Sequence, residues 1–153
     1  MLDVLCGERN FDNLVDLAMS NNDFTTSFEQ DQLLESLVKL DSLQLDALPF
    51  GVIGFGRDYL ISRYNHFESQ ATGLEKDYVL GKHVFTEIAQ CMNNFMVAQR
   101  FADAWGSSSS LDESMGYVLT WRMKPTKVKL RLLSAEKHEL AFIALSPRSP
   151  VNT

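Results

Sequence analysis

Three stretches of the chain hold residue types that could do chemistry. The first is Tyr64-Asn65-x-x-Glu68 with Thr72 four residues further on, which sets a phenol, a carboxyl and a hydroxyl just after an apolar run. The second is Cys91, a thiol that ends the stretch Gly81-Lys82-His83-Val84-Phe85-Thr86-Glu87-Ile88-Ala89-Gln90. The third is the basic stretch Arg122-Met123-Lys124-Pro125-Thr126-Lys127-Val128-Lys129. Taken singly, each also has an ordinary reading. Tyr64 can be an amphipathic core residue, Glu68 a surface acid and Cys91 a small apolar filler. Enzyme motifs are absent: there is no phosphate-binding glycine loop, Cys-x-x-Cys, His-Glu-x-x-His or Gly-x-Ser-x-Gly. Gly51, Gly54 and Gly56 lie close together, but a strand follows where a dinucleotide fingerprint needs a helix, so they read as a hairpin. His66, His83 and His138 lack metal-ligand spacing and read as structural or solvated. No His and Asn can be placed beside the Cys91 thiol. No catalytic residue, no metal and no enzyme activity are expected.

The elements that must position these groups follow from periodicity. Phe11, Leu14, Leu17 and Ala18 have helical spacing after a cap at Asn10, and Asn21-Asn22-Asp23 breaks the pattern. A second helix is predicted from about Phe28 to Leu43, with Leu33, Leu34, Leu37, Val38 and Leu40 as its apolar stripe. That stripe reads as packing on the body, with a dimer seam as the rival. Pro49 to Phe55 and Tyr59 to Tyr64 form a hairpin across Gly56-Arg57-Asp58. Asn65–Leu74 reads as short helical turns, a helix stops at Gly81, and a further helix is predicted over 94–105, ended by Gly106 and Ser107–Ser110. Strands are predicted at 115–123, at 127–132 with a basic outer face, and at 140–145. This is an α+β layout: an antiparallel sheet with flanking short helices and an N-terminal helical extension. Residues 1–43 read as an acidic helical cap, 44–146 as the main domain, and 147–153 as a loose tail.

Composition bounds the function. The chain has 153 residues, 45% of them hydrophobic and 22% charged, which suits one globular domain able to bury about two-thirds of its unfolded surface. The net charge of −6 is uneven: residues 1–50 hold ten acids and two bases, the rest ten and twelve. Attraction between the two parts is expected to be weak at an exposed surface. An acidic chain lacks the phosphate-neutralising charge that nucleic-acid binding needs. No apolar run has bilayer-spanning length and no secretory signal is evident, so no membrane association and a cytoplasmic location are expected. Cys6 and Cys91 are then expected as reduced thiols.

Together, the order and spacing of these stretches resemble the photoactive yellow protein family, a sensory family with a PAS-class fold. The resemblance runs from about Gln44 to Ser146. It is carried by Gln44-Leu45-Asp46-Ala47-Leu48-Pro49-Phe50-Gly51, Tyr64-Asn65-x-x-Glu68, Thr72-Gly73, Val79-Leu80-Gly81-Lys82, Ala89-x-Cys91 and Met123-Lys124-Pro125-Thr126-Lys127-Val128-Lys129. It implies a 4-hydroxycinnamoyl (p-coumaroyl) group held as a thioester on Cys91. It further implies that Tyr64 and Glu68 hydrogen-bond the phenolate and that Thr72 supports the Tyr64 hydroxyl. The function implied is a blue-light photoreceptor whose change of shape is read by a downstream partner protein. A homodimer through the N-terminal helices is a further expectation. In chemical terms, a phenolate in an apolar pocket needs strong donors, and Glu68 donates only when protonated, a form favoured by burial without a basic neighbour. The chain departs from the family pattern at three places. Leu74 stands where the best-known members carry an Arg, Gln90 replaces the usual Pro before the cysteine, and Trp121 takes the place of a smaller aromatic.

The alternative is a chromophore-free PAS regulatory module that acts by small-ligand binding or protein–protein contact. A haem-binding module is the third reading, because His66 and His83 lie near the pocket region. A flavin photoreceptor is disfavoured, since no Asn-Cys-Arg motif occurs.

Overall fold

The computed structural model describes residues 26–120 and 125–150. The chain divides into two units, residues 1–30 and Asp31–Thr153, and the second carries the sheet. The predicted helix at 11–18, Cys6 and Trp121 lie outside the described residues.

The helix predicted over 28–43 is two short ones, α1 (Leu33–Lys39) and α2 (Ser42–Asp46). Asp41 causes the break. Its carboxylate accepts from Gln44 N at 2.9 Å while Gln44 Oε1 accepts from Asp41 N at 2.9 Å, a reciprocal cap that starts a new helix. The stripe residues Leu33, Leu34 and Leu37 are buried, and α1 packs on strand β4 (Thr126–Ser134). They therefore cover the chain's own sheet and do not form a free seam. Glu35 bonds Lys137 and His138 in the body, and Asp46 bonds Lys76. The His138 hydrogen bond and then Lys137 hold the Glu35 carboxyl below its usual range.

The sheet is antiparallel throughout, in the order β2-β1-β5-β4-β3. Strand β1 (Gly51–Phe55) pairs with β2 (Ile61–Tyr64) and β5 (Ala141–Leu145), and β3 (Leu111–Leu119) forms the far edge. Every residue of β1 and β5 is buried, which explains their unbroken apolar runs. Ile53 and Phe55 face one layer of short helices, while Val52 and Phe142 point to the other face. Beneath that helical layer Phe55 packs edge-on against Phe85 and Phe101, with ring centroids 5.7 and 5.1 Å apart.

Two strands differ from expectation. β3 starts at Leu111, four residues before the predicted strand, because its acids are satisfied across the sheet edge. Asp112 accepts both Nε and Nη2 of Arg131 at 2.8 and 2.9 Å, and Glu113 pairs with Arg100. On β4, Lys127 and Lys129 are exposed as predicted, but Arg131 is buried against Asp112. The helix predicted over 94–105 is shorter and spans Ala98–Gly106. Asn94 Oδ1 accepts from Met96 N and Val97 N and holds the preceding residues in a side-chain-capped turn. Residues 147–150 are not a loose tail, since Ser149–Pro150 forms β6, paired with Thr126 and Lys127. Among the described residues, no helix is long and apolar enough to cross a membrane.

Candidate functional site

Strand β2 ends at Tyr64, and the next residue starts helix α3 (His66–Thr72). Asn65 makes that start. Its Oδ1 accepts from Glu68 N at 3.1 Å, capping the helix, and also from Val52 N at 3.0 Å. Its Nδ2 donates to the Leu45 and Phe50 carbonyls, each at 2.9 Å. One buried amide thus ties α2, β1 and α3 together and fixes the turn from which Glu68 projects. Glu68 lies across Gly51, where an added Cβ would run into the carboxyl group.

The helix ends at Gly73, whose φ of 78° suits a residue without Cβ. This places Thr72 beside Tyr64, with the two hydroxyl oxygens 2.7 Å apart. Thr72 Oγ1 donates to the Glu68 carbonyl at 3.0 Å, so Tyr64 is the donor in the Tyr64–Thr72 bond. Burial pushes the Tyr64 phenol well above the usual tyrosine range, and the Glu68 charge adds to this. The Thr72 bond and Arg148 act in the other direction.

Cys91 sits on a separate wall. The chain makes one wide turn over Val84–Ile88, closed by Ala89 N on the Val84 carbonyl at 2.6 Å, and then a tight turn over Gln90–Met92. The Cys91 carbonyl accepts from Tyr117 Oη at 2.6 Å and from Asn94 Nδ2 at 3.1 Å, which pins the turn to β3. The thiol is free and half-buried. Tyr64, Glu68, Thr72 and Cys91, which the sequence singled out separately, line one cavity of about 40 Å³ together with Leu74 and Arg148.

Arg148 is the residue that sequence reasoning missed. Its Nη1 and Nη2 donate to Glu68 Oε1 and Oε2 at 3.1 and 2.6 Å, with side-chain exposures of 15% and 3% for the pair. The expectation of a Glu68 without a basic neighbour is therefore corrected: the carboxylate carries a bidentate guanidinium. No local pattern marks Arg148, a single base in a short tail. His66 and His83 are not in the cavity wall. His66 is exposed, and His83 Nδ1 accepts from Phe85 N and Thr86 N while its ring stacks on Tyr59.

Known proteins share both the sequence pattern and the fold. No family model matches the chain. Over 108 residues it is 32% identical to the photoactive yellow protein of Rhodothalassium salexigens, covering 71% of this chain and 86% of that protein. The chain belongs to the photoactive yellow protein family. The photoactive yellow protein of Halochromatium salexigens is 31% identical over the same length. Among solved structures, the photoactive yellow protein domain of the sensor histidine kinase Ppr from Rhodospirillum centenum superposes with a TM-score of 0.68 at 30% identity. That match covers 74% of this chain and 98% of that domain. The RpfR quorum-sensing receptor PAS domain of Cronobacter turicensis, in complex with BDSF, gives a TM-score of 0.50 at 16% identity and shares the fold alone. The five-strand antiparallel sheet with its short flanking helices is the PAS fold of this family.

For the aromatic thioester implied by the family, the residue types are present around one cavity, a thiol, a phenol and a carboxyl, with the Tyr64 hydroxyl engaged by Thr72 and the Glu68 carboxylate by Arg148. The free volume is the point of tension. About 40 Å³ is near the share of one water molecule, while a cavity of about 150 Å³ takes a benzene ring.

Proposed function

We infer that this chain is a sensory PAS domain that acts as a blue-light photoreceptor, with a 4-hydroxycinnamoyl thioester on Cys91. The observation that carries this reading is the convergence of Cys91, Tyr64, Glu68 and Thr72 on one cavity in a chain of this family. When bound, the group supplies visible absorption and a light-driven isomerisation. The protein's own residues do the rest. Cys91 anchors from a turn held by Tyr117 and Asn94, and Tyr64 and Glu68 offer the polar end of the site. Thr72 orients the Tyr64 hydroxyl, and Leu74 contributes an apolar wall. Ile53, Ile88, Met92 and Leu119 supply further apolar lining around these polar groups. The output proposed is a change of shape read by a partner protein, with a second copy meeting through the N-terminal segment as one form of it. A domain of this kind stands within a sensor histidine kinase in Rhodospirillum centenum, which supports a signalling output.

The test is loading. Activated 4-hydroxycinnamate is expected to add one acyl mass to the full chain and to Cys6→Ala but not to Cys91→Ala, and to give a visible band. Wild-type protein that keeps its mass and stays colourless removes the pigment reading. The small cavity and the closed Arg148–Glu68 pair favour a second reading, a chromophore-free PAS module that responds to another ligand. That reading predicts the colourless outcome.

A further inference from the structure

Most walls of the cavity belong to the sheet, to α3 and to the turns around Cys91. Arg148 comes instead from the short link Ser146–Arg148 between β5 and the two-residue β6. With its guanidinium on Glu68 the site holds about 40 Å³ of free space. A six-membered ring needs several times that volume. A ring therefore gains access when a wall moves. Leu74, in the link after α3, is tied to Ser69 and Thr72 by hydrogen bonds of its backbone, which leaves the Arg148 side chain as the movable wall.

Moving that side chain separates a bidentate, largely buried ion pair. A charge left in the interior without its partner is strongly unfavourable. An apolar ring offers nothing in exchange. A ring with a hydroxyl does, because its oxygen accepts from the guanidinium and its O–H donates to the carboxylate. Tyr64 cannot serve the carboxylate in that role while its O–H is spent on Thr72. We propose that Arg148 is a specificity-determining residue: its pair with Glu68 is a latch that admits hydroxyl-bearing rings and refuses apolar rings of the same shape. The inference rests on the reading that the site takes an aromatic group, and it adds the rule by which the group is chosen.

p-Cresol and toluene differ by that one hydroxyl. Their binding to the full chain is read from amide shifts of Gly51, Glu68 and Cys91, with no covalent loading needed. The wild type is expected to bind p-cresol at least about tenfold more tightly than toluene, about 1.4 kcal/mol. The neutral double variant Glu68→Gln with Arg148→Met keeps the volume and removes both charges, a change that buried pairs generally tolerate. In it the preference is expected to fall to about twofold or less, chiefly because toluene binds better. Should that variant not fold, Arg148→Lys keeps the charge but loses the fork, and is expected to show a reduced preference. Equal binding of the two probes to the wild type, no binding of p-cresol, or an unchanged preference in the folded variant overturns the latch. Acyl loading of Cys91 is scored separately. Its failure with the hydroxyl preference intact ends the pigment reading and leaves the latch standing, and the reverse pattern ends the latch alone.

Discussion

Asn65→Ala tests how the site is built. Asn65 is 1% exposed, and its amide makes four hydrogen bonds to the backbone of three elements. Alanine takes the acceptor from the N–H groups of Val52 and Glu68 and one donor from each of the Leu45 and Phe50 carbonyls. An orphaned buried N–H costs about 1–2 kcal/mol, and a carbonyl losing one of its bonds costs about 0.5 kcal/mol. The expected loss is about 3–5 kcal/mol, a large part of the total of about 5–15 kcal/mol typical for a domain. Asn65→Asp is the control. It keeps both accepted bonds but sets a second oxygen against two carbonyls, so at neutral pH it should lose at least as much. The folded state then binds the carboxyl proton more tightly than the unfolded state, so this variant should regain stability as pH falls. Urea unfolding followed by circular dichroism measures both, with an unchanged slope showing that the unfolded surface is the same. Asn65→Ala within about 1 kcal/mol of wild type would show that the four bonds do not hold the site together.

Two further outcomes follow from the same geometry. Gly51→Ala should push Glu68 off its seat, weaken the Arg148 bond and cost about 1–3 kcal/mol, the range for overpacking; a neutral melt would mean that Glu68 has room to move. Burial raises the Tyr64 phenol above the ordinary tyrosine range in the folded chain, so it ionises first in the unfolded state. Its contribution is complete below about pH 10 and is lost as pH climbs through the raised folded value. Tyr64→Phe should flatten the alkaline fall in stability, and an unchanged slope between pH 9 and 11 would contradict the burial of this group.

Much of the site was legible because it is local. Tyr64, Asn65, Glu68 and Thr72 fall within nine residues, as strand end, cap, first turn and last turn of one short helix, which Asn65 then fastens to Leu45, Phe50 and Val52. The strands β1 and β5 were legible from their apolar runs, since burial on both faces leaves no alternation to misread. The start of β3 was hidden because Asp112 and Glu113 look like loop residues until Arg131 and Arg100 are seen opposite them. The split of the second predicted helix was written in Asp41 and Gln44, but the leucine stripe running past them hid it.

Residue order alone supplies the inventory: the thiol, phenol, carboxyl and hydroxyl, the order of helices and strands, and the family they resemble. Such features depend on neighbours a few residues apart, whose hydrogen bonds and periodic burial repeat in any context. Packing of the whole fold is what puts Cys91 in one cavity with Glu68 and lays Arg148, eighty residues away, on that carboxylate. A pair so distant has no local signature. It forms because β5 delivers the chain to the rim of the site, and because a buried carboxylate is strongly unfavourable unless a cation within its reach is paired with it.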